Sequence, residues 1–269
     1  MRRGIVALAA FLIVAVAATS AAQFRRGRAL ERSPRATTFG NGFNFCRGIY
    51  TQTRSEPGGQ GWSTDYPDAD LNFSIRLGEL TRTRVKFDSQ GRPDHVTIRL
   101  TSDDLFQCPY LHMEDVGTLT FNEREVEALR AWLLKGGFLW VDDFWGSVAW
   151  EEWVEQISRV LPPHDYPIVD LALTHPLFRV QFDVDEFPQI PSIQAWRGGV
   201  ETSERGLDSA EPHARAISDG AGRIMVLMTH NTDISDAWER EGEDPTYFFQ
   251  FSPKGYAVGI NAILYALTH

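Results

Sequence analysis

The chain has 269 residues, 43% of them hydrophobic, with 26 Lys and Arg against 36 Asp and Glu for a formal net charge of −10. That length and apolar content allow a full core in one large domain or two small ones. The acidity argues against nucleic acid as a partner, because a binder of the phosphate backbone needs a basic face.

Arg2 and Arg3 open the chain, an almost unbroken apolar run from Gly4 to Ala18 follows, and Thr19, Ser20, Ala21 and Ala22 close it. A charged start, an apolar middle and small residues at the end describe a secretory signal cut after Ala22. Counted to Ala22 the run is about 19 residues, close to the roughly 20 that span a bilayer, so an uncleaved anchor over residues 4–22 stands as the alternative. Either way the expected location is exported, in the periplasm or outside the cell, with membrane contact only through this segment. Arg25, Arg26, Arg28, Arg32 and Arg35 come next, and positive charge there opposes translocation of the flank. Residues 23–40 lack apolar periodicity and read as a basic linker, leaving 41–269 as the domain. Without Arg2 and Arg3, 24 basic residues would face 36 acidic ones, a charge of −12.

Alternating apolar residues predict a first strand over 43–50, followed by the Gly-rich loop Glu56-Pro57-Gly58-Gly59-Gln60-Gly61-Trp62. Leu71 and Ile75 at helical spacing predict a helix from about Asp68 to Thr83. His95 to Leu100 is a short strand, and Cys108 to Met113 is another that ends at Glu114-Asp115. A helix from Asn122 carries Val126, Leu129, Trp132 and Leu133 on one side, with acid in its first turn and Lys135 at the far end, as the helix dipole prefers. Gly136 can supply the left-handed residue that stops it. Phe138 to Val141 then reads as a strand buried on both faces, as parallel strands are, and ends in Asp142-Asp143. A second helix, 148–161, stops at Pro162-Pro163. From His164 to Gly222 the pattern breaks into short runs, read as an irregular insertion with hairpins. Arg223 to Met228 is a last strand, and Tyr256 to Leu267 a last helix. Strands alternating with helices give an α/β fold with a mostly parallel sheet and right-handed crossovers.

Cys46 and Cys108 fit no metal spacing and no redox motif. They can pair in an oxidising compartment or remain two buried thiols.

In an open parallel sheet, ligands bind beyond the carboxyl ends of the strands. Here those ends offer Arg47 and Tyr50, then Glu114 and Asp115, then Asp142 and Asp143, then His230, Asn231 and Asp233. Side chains alternate along a strand, so of Asp142 and Asp143 one is expected to face the site and the other to cap the next helix at Gly146-Ser147. Several carboxylates with a His can hold Mg2+, Ca2+ or Zn2+, although no motif fixes a metal and no cofactor is evident. Carboxylates, Asp65 among them, beside Trp62, Trp145 and Trp238 can instead hold a sugar, with a carboxylate pair as general acid and base. There is no G-x-S-x-G, Ser147 lacks a sharp elbow, and the Gly-rich loop lacks the Lys-Ser/Thr ending of a phosphate loop.

Gly61-Trp62-Ser63-Thr64-Asp65, the stretch Tyr110 to Gly137, Gly137-Phe138-Leu139-Trp140-Val141-Asp142-Asp143, His175-Pro176-Leu177-Phe178 and Thr229-His230-Asn231-Thr232-Asp233 through Trp238 together resemble the DUF4159 family over 41–269. The resemblance implies a flavodoxin-like three-layer sandwich, similar to the class I glutamine amidotransferase-like folds and the trehalose-utilisation group, in a cell-envelope setting. Those amidotransferases carry a Cys nucleophile after the strand that ends here in Asp142-Asp143, so amidotransfer is not expected, and no substrate is implied.

The resulting expectation is an exported domain that binds a small polar, carbohydrate-like ligand at the strand-end cleft. Its enzymatic version is a hydrolase with Asp142 or Asp143 and His230 as acid and base. The alternative is a non-catalytic envelope module that binds a protein partner.

Overall fold

The computed structural model describes residues 31–40 and 42–269. The expected signal or anchor over 1–22 and the start of the linker lie outside the described residues. Among those described, no helix is long and apolar enough to cross a membrane. Residues 32–40, expected as the end of the linker, run against the sheet. Arg32 N donates to Thr97 Oγ1 at 2.8 Å, Arg32 O accepts from Thr97 N at 3.0 Å, its guanidinium reaches Asp94 at 2.8 Å, and a compact unit begins at this residue.

A seven-stranded sheet organises the unit. In chain order its strands are β1 (Phe45–Ile49), β3 (His95–Arg99), β4 (Tyr110–Glu114), β6 (Phe138–Asp142), β7 (Val169–Asp170), β8 (His213–Ser218) and β9 (Ile224–His230). A separate antiparallel pair is formed by β2 (Thr51–Gln52) and β5 (Leu119–Thr120). Across the sheet the order is β3-β1-β4-β6-β9-β8-β7; the first five are mutually parallel, β8 runs antiparallel to β9, and β7 antiparallel to β8. The five parallel strands, numbered in chain order, lie 2-1-3-4-5, and the direction of winding reverses between β1 and β4. The insertion expected after the Asp-Asp strand and its helix supplies the antiparallel edge, because β8 pairs along nearly all of β9.

Both faces are covered by helices: α1 (Asp68–Leu80), α2 (Glu123–Leu134), α3 (Gly146–Val160), α4 (Ile193–Arg197), α5 (Asp236–Glu239) and α6 (Pro245–Thr268). Phe45, Tyr110, Phe138 and Trp140 pack toward α1 and α6, while Cys46, Leu111, Leu139 and Val141 pack toward α2 and α3. The alternation of side chains along each strand thus fills two cores, giving an α/β structure in three layers. Asn122 starts α2 with a capping box, its side chain accepting from Glu125 N and that of Glu125 from Asn122 N. Gly136 ends it at φ +111°, and a Cβ on Gly137 would stand 2.3 Å from the Trp132 ring. Cys46 and Cys108 form a disulfide that ties β1 to the segment entering β4.

Helix α6 begins eleven residues before the expected Tyr256, at Pro245. Asp244 caps it through Thr246 N and Tyr247 N, and proline suits the first helical position.

Candidate functional site

The strand exits are built from residues in a conformation that L side chains rarely adopt. Asp65, Asp115, Asp143 and Asn231 have φ between +50° and +60°, and they are the only non-glycine residues with positive φ among those described. Asp115 follows β4, Asp143 follows β6 and Asn231 follows β9. Such strain persists where surrounding bonds hold it, and it concentrates at functional sites. Asn231 shows the holding: its Oδ1 accepts from Gly146 N at 2.8 Å and its Nδ2 donates to Glu211 O at 2.8 Å. The chain therefore does turn sharply between β6 and α3, at Asp143 rather than at Ser147.

The Gly-rich loop folds over the same exits. Gly61 N donates to Asp115 Oδ2 at 2.8 Å, and a Cβ on Gly59 would lie 2.4 Å from that oxygen. The glycines thus let main chain approach a carboxylate. Tyr50 donates its hydroxyl toward Glu114 O at 2.7 Å and Asp115 O at 2.8 Å, bracing the end of β4.

A cleft of about 210 Å³ opens at these exits, lined by Asp65, Asp115, Asp143, Asp233 and Asp236, with Trp145, Arg205 and Arg240 in its walls. Burial raises the Asp115 carboxyl to about 7; the Gly61 N–H opposes the rise and Glu56 adds to it. Burial likewise raises Asp143 and Asp233, helped for Asp143 by Glu204 and for Asp233 by Asp143 itself. Asp65 is raised by burial and then by Glu239 and Asp236. Carboxyls raised in this way can donate a hydrogen bond when protonated and accept one when ionised.

Beneath the cleft lies a closed polar network on the α1 and α6 side of the sheet. Arg47, fully buried, pairs with Asp70 of α1 at 2.5 Å and lies 3.5 Å from Glu114. His112 Nε2 is 2.5 Å from Glu114 Oε1 and 3.1 Å from Ser235 Oγ. Burial would raise Glu114, but the charges of His112 and Arg47 outweigh it and leave the carboxyl below its ordinary value. Asp142 accepts from Thr229 Oγ1 and from Ser235 N at 3.0 Å; burial and the Glu114 charge raise its carboxyl.

The sequence-derived residues therefore divide into three environments. Asp65, Asp115, Asp143, Trp145 and Asp233 share the cleft. Arg47, Glu114 and Asp142 lie buried below it, and Tyr50 and Asn231 hold its backbone. Neither aspartate caps α3 as expected: Gly146 N bonds to Asn231 and Ser147 N to Asp208. His230 does not line the cleft. On β9 it points to the face opposite Thr229, contacts the rings of Phe144 and Trp150 at 4.9 and 5.1 Å, and bonds to Gly146 O. Among the described residues no hydrogen bond or ion pair joins it to Asp142 or Asp143. Burial, with Arg215 beside it, lowers its pKa to about 4.

Two of the three indoles expected to carry a sugar do not line the cleft. Trp238 is fully buried against Phe73, Trp140 and His112, and Trp62 packs on Tyr66 away from the cleft. Asp236, Arg205 and Arg240 were not among the expected residues. Asp236 lies three residues beyond Asp233, where the i,i+3 spacing was available as a signal; Arg205 sits in the irregular insertion, where no periodicity marks it.

The family described as a domain of unknown function (DUF4159) matches residues 50–267. No curated protein matches the chain.

Proposed function

The chain belongs to the DUF4159 family, and from that premise we propose that its strand-end cleft binds a small polar, hydroxyl-bearing ligand of the carbohydrate class. The observation that carries this reading is the convergence of Asp65, Asp115, Asp143 and Asp233 on one cleft, each carboxyl raised by burial. Ionised carboxylates accept from ligand hydroxyls, and protonated ones donate to ring and ether oxygens. The volume of about 210 Å³ falls below the roughly 300–1,000 Å³ of drug-sized pockets, which favours a small ligand. Trp145, whose Nε1 donates to Asp143 Oδ1 at 2.9 Å, fixes the carboxylate.

In the enzymatic version, a hydrolase, Asp115 is the general acid, because a carboxyl raised to about 7 carries a proton into the neutral range. Asp143 is the second carboxyl of the pair, in place of the buried Asp142 and of His230, which does not line the cleft.

We read the 2-1-3-4-5 strand order in three layers as flavodoxin-like, and with it the likeness to the class I glutamine amidotransferase-like folds and the trehalose-utilisation group. On that reading Asp142-Asp143-Phe144 falls where those amidotransferases carry their Cys, so amidotransfer is not part of the proposal. The Cys46–Cys108 disulfide supports an exported domain, since such bonds persist in oxidising compartments. A module that docks a protein partner would favour an apolar patch. Leu207 and Phe249, 98% and 78% exposed, stand out among the exposed apolar side chains, but isolated residues of this kind are ordinary, so the cleft reading is preferred.

A thermal-shift screen of the full chain against glucose, N-acetylglucosamine, maltose and inositol tests the proposal. Stabilisation by at least one of them, lost in Asp143→Asn, is the expected outcome, and no stabilisation by any speaks against it.

A further inference from the structure

We propose that Asp65, Asp236 and Glu239 form a site for one hard divalent cation, Ca2+ or Mg2+, in the wall of the strand-end cleft. This deepens the reading of that cleft as a ligand site and rests on it. One oxygen from each residue lies within 4.8 Å of the other two, a spacing that a single ion can bridge at the oxygen distances such ions adopt.

A second observation points the same way. Asp65 is only 8% exposed, lines the cleft, and has a buried Oδ2 that no N–H or hydroxyl donor reaches; its side-chain neighbour there is a second acid, Glu239. An ionised acceptor left bare in that position is costly, and a bound cation removes that cost. The other two carboxylates are held in place by their second contacts. Asp236 Oδ2 receives Ile193 N and the Tyr247 hydroxyl, both at 2.8 Å, while Oδ1 has Arg240 Nε at 3.7 Å. Glu239, three residues further on the same short helix α5, is turned to the same side.

Ionised, the three carboxyls also favour a cation. Three carboxylates face one guanidinium, that of Arg240, which lies 2.6 Å from Glu239 and also serves Glu243 at 2.7 Å. The remainder is two negative charges, and Asp233, whose Oδ1 accepts from Asp236 N, adds to it. A divalent ion supplies the balance, and three carboxylates leave coordination positions free for water or for hydroxyls of a ligand in the cleft.

His112, Glu114 and Asp142 also place ligand atoms within 4.8 Å of one another, and His112 Nδ1 and Glu114 Oε2 lack hydrogen-bond partners. That set differs in two ways. All three side chains are fully buried away from the cleft, and Arg47 already lies beside Glu114, with Thr229 and Ser235 donating to Asp142. It therefore carries its own positive charge and donors.

The test is isothermal titration of CaCl2 and, separately, MgCl2 into the chelator-treated full chain, with Asp65→Asn and Glu239→Gln beside the wild type. One cation per chain is expected, with affinity lowered about tenfold or more in each variant. Each variant should also melt no lower than wild type without cation, since a like charge has been removed; a variant that melts lower is replaced in the comparison by the other. No binding of either ion at millimolar concentration, or wild-type affinity in both variants, overturns the site. Glucose, N-acetylglucosamine and maltose titrated with chelator present separate this result from the parent reading. Sugar binding without any cation binding sinks the cation site alone, and cation binding without any sugar binding sinks the carbohydrate reading alone.

Discussion

Asp142 and Asp143 are consecutive, yet they serve different parts of the molecule: Asp142 is sealed under the sheet by Thr229 and Ser235, while Asp143 turns into the cleft and accepts from Trp145. The left-handed backbone at Asp143 completes the divergence that strand alternation begins. One residue thereby belongs to the framework and the next to the site.

Asp115 should make stability pH-dependent. Its carboxyl is raised in the folded state to about 7 from an ordinary 3.8, so the folded chain holds a proton that the unfolded chain releases. The contribution is fully present below about pH 4 and is lost as pH rises to about 7. Asp115→Asn removes the cost of ionisation while keeping an acceptor for Gly61 N. It should stabilise the protein above pH 7 by about 1–3 kcal/mol, less than the roughly 4 kcal/mol implied by the full displacement because water enters the cleft. Urea denaturation at about pH 5 and pH 8 measures this, and a variant no more stable than wild type at the higher pH would refute it.

Asp70→Asn should be among the most damaging substitutions outside the apolar core. It leaves Arg47, fully buried, without the carboxylate at 2.5 Å, and stranding one partner of a buried pair costs about 3–5 kcal/mol. Denaturant midpoints at constant slope would show the loss; a change below about 1 kcal/mol would mean that Glu114 takes over.

The Cys46–Cys108 bond closes a separation of 62 residues, and removing such a cross-link costs about 4 kcal/mol in the chain-entropy treatment. Cys46→Ala with Cys108→Ala, or wild type under reductant, should melt well below the oxidised protein. An unchanged melting temperature under reductant would show that the bond does not form in solution.

His230 should titrate near pH 4, because burial and Arg215 disfavour its charge. Its contribution to stability is present above the ordinary His value of 6.5 and is lost as pH falls through about 4. NMR titration of its ring protons measures this directly, and a midpoint above 6 would contradict the packing described here.

Much of this fold was legible because strong periodicity coincides with strong punctuation. The helix over 123–134 is bounded by Asn122 and Gly136, and the run 138–142 is apolar on both faces because helices cover both. β8 was not legible: His213-Ala214-Arg215-Ala216-Ile217-Ser218 has little apolar weight and becomes a strand by pairing with β9, a long-range event. At the site, Asp65 was picked out beside Trp62, and the rule that ligands bind beyond strand ends located Asp115, Asp143 and Asp233. It could not separate Asp142 from Asp143, or remove His230 and Trp238, because which face a side chain takes depends on register and on the sharp turns after the strands.

The most direct test is isothermal titration of the most stabilising sugar into wild type, Asp143→Asn and His230→Gln. Binding to wild type and to His230→Gln, with affinity lowered about tenfold or more in Asp143→Asn, is the expected result. Equal affinity in all three proteins, or no binding of any sugar to the wild type, would contradict the assignment of the acidic cleft as the ligand site.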